Sequence, residues 1–311
     1  VDRILNDKLG ERLSILDISN TAGKGVVNET PVFLKAYNSK LTKGGGVVHV
    51  PGVVGTGYKF TTPLELTGSG PIEFIGEGRA SKIFRGASLA AGKGMFNLVG
   101  AKNITFRRLL FDGATTTPVG LTYASFGEDP AHASLTTNSM FWLHGGEDIT
   151  FIDCDFEHSG GYAAYLDARA AYVRRIKFIN CRFRNNRPHL FGISGADMNY
   201  GSWTGGIFGQ NQATGGSVFK VEDLRVTGCQ FERNTGNCVW EHGYGFDSFH
   251  QRIHVDHNSF LDCGLDGILF GNVVGGSCIG NSFRRIGYIC TDDTSVSVPK
   301  WLTNKNATAL D

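Results

Sequence analysis

One pattern recurs through the middle of this chain and limits what it can fold into. Ile104, Phe106, Leu109 and Phe111 are followed by Ile149, Phe151, Cys154 and Phe156, then by Ile176, Phe178, Cys181 and Phe183. Leu224, Val226, Cys229 and Phe231 repeat it, as do Ile253, Val255, Asn258 and Phe260, and Cys278, Asn281 and Phe283 form a partial copy. Each full block sets apolar side chains at i, i+2 and i+7, with Leu, Cys or Asn at i+5. The i, i+2 alternation is strand spacing, and i+5, i+7 reads as a second short strand beyond a corner. No helical period fits.

The closing Phe residues are separated by 45, 27, 48, 29 and 23 residues. The short steps match one coil of a parallel β-solenoid, and the two long steps match a coil carrying an insertion. A single coil cannot bury its inward row, but coils stacked about 4.8 Å apart bury Phe on Phe continuously. The i+5 column then becomes an inward ladder of Leu109, Cys154, Cys181, Cys229, Asn258 and Asn281. Buried thiols pack there as small hydrophobes, and stacked Asn amides bond along the axis. Gly160, Gly236, Gly264 and Gly287 follow the Phe in most coils, where a turn needs positive φ.

Composition narrows the remaining classes. Gly is 43 of 311 residues without a G-X-Y period, which excludes collagen, and 41 % hydrophobic with 19 % charged residues excludes a disordered chain. A net charge of +1 gives no reason to expect nucleic acid or a membrane surface as partner. No apolar run approaches the ~18 residues of a membrane span. Seven cysteines without a CxxC pair give neither a disulfide framework nor a zinc site, and they point to folding in a reducing compartment. The chain opens on Val1 without a signal pattern and ends without an obvious cap, so it reads as a fragment or a trimmed chain, with further coils or a trimerising domain expected beyond it.

At the N-terminal end, Val1, Ile4, Leu5, Leu9 and Leu13 predict a short amphipathic helix over 1–14. Residues 29–41, opened by Glu29, Thr30 and Pro31, predict a second. Both suit a cap over the open end of a solenoid. The expected organisation is a helical neck and cap over 1–45 and a β-helix over 46–311, with long insertions at about 113–138 and 192–220.

Residues 12–86 carry Arg12-Leu13-Ser14-Ile15-Leu16-Asp17, a helix, Gly44-Gly45-Gly46-Val47-Val48-His49-Val50-Pro51-Gly52, and Ile72-Glu73-Phe74-Ile75-Gly76-Glu77-Gly78. This stretch resembles the opening segment of the pectate-lyase-like superfamily, and the all-β fold it implies is a right-handed single-stranded parallel β-helix. The leading Lys8-Leu9-Gly10-Glu11-Arg12-Leu13-Ser14 resembles the junction before the β-helix in bacteriophage tailspikes and tail fibres. The Phe-Gly-Ala-x-Gly-Asp-Gly usual after that junction is replaced by Ile18-Ser19-Asn20-Thr21-Ala22-Gly23-Lys24-Gly25. The resemblance implies a homotrimer on a virion tail, folded in the host cytoplasm, that binds and often cleaves a capsular or O-antigen polysaccharide.

Outward side chains of stacked coils form columns, so distant residues converge. Aligning Phe96–Val99, Phe141–His144, Ala164–Asp167, Val239–His242 and Ile268–Gly271 sends first and third residues inward, second and fourth outward. One outward column holds Trp142, Tyr165 and Trp240, and the next holds His144, Asp167 and His242. Aromatic faces beside carboxylates and imidazoles suit a sugar groove. Glycoside hydrolysis needs two carboxyl groups, about 5–5.5 Å apart for retention or about 6.5–9.5 Å for inversion. Asp167 is the first candidate; Glu241 is the second, although alternation turns it inward unless the strand slips by one residue. Asp247, Asp266 and Asp197 follow. The insertions add Tyr123, Phe126, His132, Tyr200, Trp203 and Phe208 as groove-wall or subunit-contact candidates. Glu157, Arg184, Glu232 and Arg284 follow the closing Phe and are expected to form a charge ladder between coils.

Three readings stay open: an endo-acting hydrolase, a lyase on a uronic-acid polymer, and a non-catalytic adhesin. In the lyase, His144, His242 or Tyr165 removes the C5 proton and Arg169 neutralises the carboxylate; the adhesin uses the aromatic column alone. No acidic cluster calls for a metal, and no cofactor is expected.

Overall fold

A computed structural model describes residues 12–86, 89, 94–113, 139–159, 162–186, 206–210, 219–234, 238–242, 249–263 and 267–286. The chain opens with β1 (Arg12–Ser14), α1 (Ile15–Ile18) and α2 (Thr30–Leu41), then winds into coils. The first coil carries β2 (Gly46–Val50), β3 (Tyr58–Phe60) and β4 (Leu64–Leu66); the second carries β5 (Ser69–Arg85) and β6 (Phe96–Val99); the third carries β7 (Lys102–Asp112) and β8 (Phe141–His144). Next come β9 (Glu147–Ile152), β10 (Asp155–Glu157) and β11 (Ala164–Asp167), then β12 (Val173–Arg174), β13 (Lys177–Ile179), β14 (Arg182–Arg184) and β15 (Ile207–Gln210). The sixth coil holds β16 (Val221–Glu222), β17 (Arg225–Thr227), β18 (Gln230–Glu232) and β19 (Val239–His242). Then follow β20 (His250–Asp256), β21 (Ser259–Cys263) and β22 (Ile268–Gly271), with β23 (Val273–Ser277) and β24 (Ser282–Ile286) last.

Among the described residues every ladder is parallel, and each interior strand pairs with the strands one coil before and after it. Counted over those residues, one sheet of 17 strands bends around two sides of the coil, and a second sheet of seven strands, in the order β22-β19-β15-β11-β8-β6-β4, closes the third side. The register follows the repeat: Phe106 lies against Phe151, Phe151 against Phe178, and Phe178 against Val226. In the second inward row Phe111, Phe156, Phe183, Phe231, Phe260 and Phe283 stand in register. From Phe156 onward their rings stack face to face, at 4.7 Å for Phe156–Phe183 and 4.6 Å for Phe183–Phe231, while Phe111 is tilted against Phe156. The two rows meet edge to face, as between Phe106 and Phe111 and between Phe151 and Phe156.

The i+5 column forms as expected. Cys154, Cys181 and Cys229 are buried free thiols, and below them Asn258 accepts from the Cys229 N–H while Asn281 accepts from the Asn258 N–H, at 2.8 and 2.9 Å. A second Asn column, which sequence reasoning missed, joins Ser159, Asn186 and Asn234 at the next corner.

The corners differ from the expectation. Gly160, Gly236, Gly264 and Gly287 lie outside the described residues. The described corners place mostly Asn, Asp, Arg and His in the left-handed region, among them Asn103, Asp148, Arg175, Asp223 and Arg252 in one file and Arg108, Asp153, Asn180 and His257 in another. Non-glycine residues rarely adopt this conformation, and in the first file two pairs bond along the axis: Arg175 with Asp148 at 2.6 Å and Arg252 with Asp223 at 2.6 Å.

The cap also departs in part. Residues 1–11 lie outside the described residues, but Arg12–Ser14, expected at the end of a helix, form β1 and pair with Val47–His49. The sheet therefore starts ahead of residue 46. The second predicted helix is α2, whose Phe33, Ala36 and Tyr37 are buried against the first coil. Phe33 meets Tyr58 and Phe60 edge to face.

Candidate functional site

The outward face of the seven-stranded sheet holds the predicted columns, and alternation along each short strand explains their direction. Register sets Glu65 beside Asn97, Asn97 beside Trp142, Trp142 beside Tyr165, then Phe208 and Trp240. The neighbouring column runs through Val99, His144, Asp167, Gln210 and His242. For Phe208, Gln210, Trp240 and His242 only the strand position is described. The strand β15 was missed in the sequence, where it sits inside the expected 192–220 insertion. Glu65 and Asn97 were missed as well; they join through Asn97 Nδ2 to Glu65 Oε1 at 3.0 Å.

Asp167 organises this face. Its side chain is 1 % exposed and receives a forked pair of hydrogen bonds from Arg169, Nε to Oδ1 and Nη2 to Oδ2, each 2.8 Å. Trp142 Nε1 donates to Oδ2 at 2.9 Å, and the Arg169 backbone N–H donates to Oδ1 at 3.2 Å. His144 Nδ1 lies 3.5 Å from Oδ2, an electrostatic contact longer than a hydrogen bond. Burial opposes the charge on Asp167, but the hydrogen bonds from Arg169 and Trp142, with His144 close by, outweigh it and hold the carboxyl well below the usual carboxylate range.

This environment corrects the role expected of Asp167. A carboxylate held ionised and enclosed by donors has no proton to give and no open lone pair for a sugar. It holds Arg169 and Trp142 by hydrogen bonds and faces His144. His144 remains part-exposed at 26 % of its side chain, with Nδ1 facing the carboxylate. Its ring lies 5.5 Å from that of Trp142. The Arg169 guanidinium also sits 5.7 Å from the Tyr165 ring centre, and Tyr165 stacks on Tyr162 and is buried.

Glu241 is corrected more sharply. The strand does not slip: Glu241 stands in register with Gly209 and Phe270 in the inward column, fully buried. Its Oε2 lies 2.6 Å from Nδ1 of His250, which is equally buried. Room for the carboxylate comes from Gly209 one coil earlier, since a Cβ there would run into the Glu241 carboxyl group. Burial pushes the Glu241 carboxyl up, and the bond to His250 pulls it back in part. Asp167 and Glu241 therefore lie on opposite sides of the sheet and do not flank one bond. Asp247, Asp266, Asp197 and Trp203 lie outside the described residues, as do Tyr123, Phe126, His132 and Tyr200. Among the described residues, no three His, Cys, Asp or Glu side chains converge as a metal site would require.

Residues 139–298 match the family described as right handed beta helix region. No curated protein matches the sequence. Among solved structures, the chain is similar to the Streptococcus pneumoniae surface adhesin PfbA at 16 % identity and a TM-score of 0.65, covering 88 % of this chain and 61 % of that one. An endo-xylogalacturonan hydrolase from Aspergillus tubingensis matches at 14 % identity and 0.50, over 88 % and 72 % of the two chains. ORF18 of Geobacillus virus E2 matches at 15 % identity and 0.44, over 90 % and 61 %. The chain thus spans about three fifths of the first structures it matches. With its matched segment covering half of the sequence, and with inward rows, parallel register and corner ladders all of one kind, this chain belongs to the right-handed parallel β-helix family.

Proposed function

We propose that this chain is a tail protein of the phage tailspike type that grips and cleaves an acidic polysaccharide, capsule or O-antigen, on a bacterial surface, working as a homotrimer on the virion. The observation that carries this reading is the buried carboxylate of Asp167, which fixes Trp142 and Arg169 by hydrogen bonds and faces His144, all on one outward sheet. The indole offers a flat apolar surface to a pyranose ring, and Arg169 offers positive charge to a uronate. The junction motif at Lys8–Ser14 supports the virion assignment.

Of the two cleavage chemistries, β-elimination suits the described residues better. His144 Nε2 takes the C5 proton of a uronate whose carboxylate faces Arg169. The C5 electron pair forms the C4–C5 double bond, the C4–O bond breaks, and the imidazolium returns the proton to the leaving oxygen. Hydrolysis is the second reading, supported by the fold likeness to a xylogalacturonan hydrolase. It needs a second carboxyl group, and the two described carboxylates of this face, Glu65 and Asp167, are three coils and two strand positions, about 16 Å, apart. Asp247 or Asp266 would have to supply the partner.

Incubation with a panel of capsular glycans tests the proposal. Unsaturated, ultraviolet-absorbing ends support elimination, and new reducing ends without that absorbance move the reading to hydrolysis. Tight binding with neither product leaves an adhesin, and no binding to any acidic glycan overturns the assignment. Sedimentation equilibrium checks the trimer.

A further inference from the structure

The outer face formed by β5, β7, β10 and β14 lies on a different side of the solenoid and carries a second organised charge cluster. Asp112, Asp155 and Glu157 point outward there yet are almost fully buried. They are covered by cations laid flat across the coils. Arg79 bonds Glu157 through both Nη atoms, at 2.6 and 2.9 Å, and reaches Asp155 at 3.3 Å. Arg182 grips Asp155 with Nε and Nη2, at 2.6 and 2.9 Å, and Arg184 Nη2 meets Glu157 at 2.6 Å. Lys82 Nζ sits 2.6 Å from Asp112. Four cations thus cover three carboxylates, and His158, whose ring is bonded to Asp112, adds a further positive charge when protonated.

Two features separate this cluster from ordinary surface ion pairs. The carboxylates are buried and the cations are not: the Arg79 and Arg182 side chains remain 47 % and 43 % exposed. The guanidiniums are also already fixed in place, so a ligand that meets them has little side-chain freedom to remove. Nη1 of Arg182 and Nη1 of Arg184 take no part in the bonds to these carboxylates.

We propose that this face is a second docking surface for the carboxylates of an acidic polysaccharide, with Arg182 and Arg184 as its contact residues and Arg79 and Lys82 flanking them. The choice of occupant rests on the preceding reading that the ligand is an acidic glycan, and on charge complementarity with the excess of cations. Two contact surfaces on neighbouring sides of one rod would hold a long chain at more than one point and raise its residence time.

The test uses oligogalacturonate as the anionic probe and dextran as the neutral control, with binding followed by calorimetry at two salt concentrations. In the R182Q/R184Q variant Arg79 still contacts both Asp155 and Glu157, so neither buried acid is left without a cation. We expect oligogalacturonate to bind about tenfold more weakly and with a smaller salt dependence. The R182K/R184K variant should recover part of the loss, and the thermal midpoint serves as the folding control. Unchanged binding in R182Q/R184Q overturns the proposal. Equal binding of duplex DNA, or an Arg182-dependent dimer, would also overturn it by assigning the face to another partner. Trp142→Ala is run in parallel: if it has no effect on binding or cleavage while R182Q/R184Q weakens binding, this surface stands and the assignment of the Asp167 face falls.

Discussion

The inward rows of the coil and the outward columns of the seven-stranded sheet share one backbone register, yet they have opposite chemistry. Inside, Phe111, Phe156, Phe183, Phe231, Phe260 and Phe283 repeat one side chain for six coils. Outside, Glu65, Asn97, Trp142 and Tyr165 change at every step. The interior column must fill a fixed spacing without water, and a flat ring that stacks on its own copy does so at every level. The exterior column has no such demand, so its side chains are free to vary from coil to coil. The interior departs from uniformity at Gly209 and Glu241, where a missing side chain and a buried charge compensate each other.

The contrast can be broken first from the inside. Phe156 is stacked between Phe111 and Phe183, so Phe156→Ala should cost about 4 kcal/mol in denaturant unfolding, with a cavity that neighbouring coils cannot close. The exception at Gly209 should be nearly as costly. Glu241→Ala leaves His250 buried without its partner and should lose about 3 kcal/mol, while Glu241→Gln loses less. Gly209→Ala should be destabilising alone and largely tolerated in the Glu241→Ala background; equal effects in both backgrounds would show that the two positions are not coupled.

How much of this was legible depends on which column a residue belongs to. The i, i+2, i+7 blocks gave the register of Phe106, Phe151 and Phe178 because burial enforces the same residue type at each coil. Trp142, Tyr165, His144 and Asp167 were reached by extending that register one strand upstream. Ile207–Gln210 escaped because its third position is Gly209, not an aliphatic residue, and that glycine makes sense only beside Glu241 one coil later. The saturation of Asp167 was equally hidden, since Arg169 lies two residues away and nothing in spacing shows that its fork closes on the carboxylate. The left-handed corners were hidden because most coils place Asp, Asn, Arg or His there, and glycine takes the same files at Gly228, Gly275 and Gly280.

On the outside the expected effects are smaller in stability and larger in function. Asp167→Asn should lower turnover about 10–100-fold by releasing Arg169 and Trp142, mostly through kcat, and Asp167→Glu should restore part of it; an unchanged rate would remove Asp167 from the site. The same residue predicts an acid limb. Because its carboxyl is held below the unfolded value of about 3.9, its stabilisation is complete above that pH and declines as pH falls further. A pH series of melting temperatures should show this limb flattened in Asp167→Asn. The smallest effect is chemical: Cys278 is exposed and should label with a thiol reagent in the native protein, while Cys154, Cys181 and Cys229 label only on unfolding.

The parallel ladders also decide where this molecule can change its length. A residue added within a strand would rotate every following side chain to the wrong side, whereas a segment added between Gly113 and Ser139, or between Asn186 and Gly206, leaves the rungs on both sides bonded to their own neighbours. Length can therefore change at those two junctions while the rod that carries them keeps its shape.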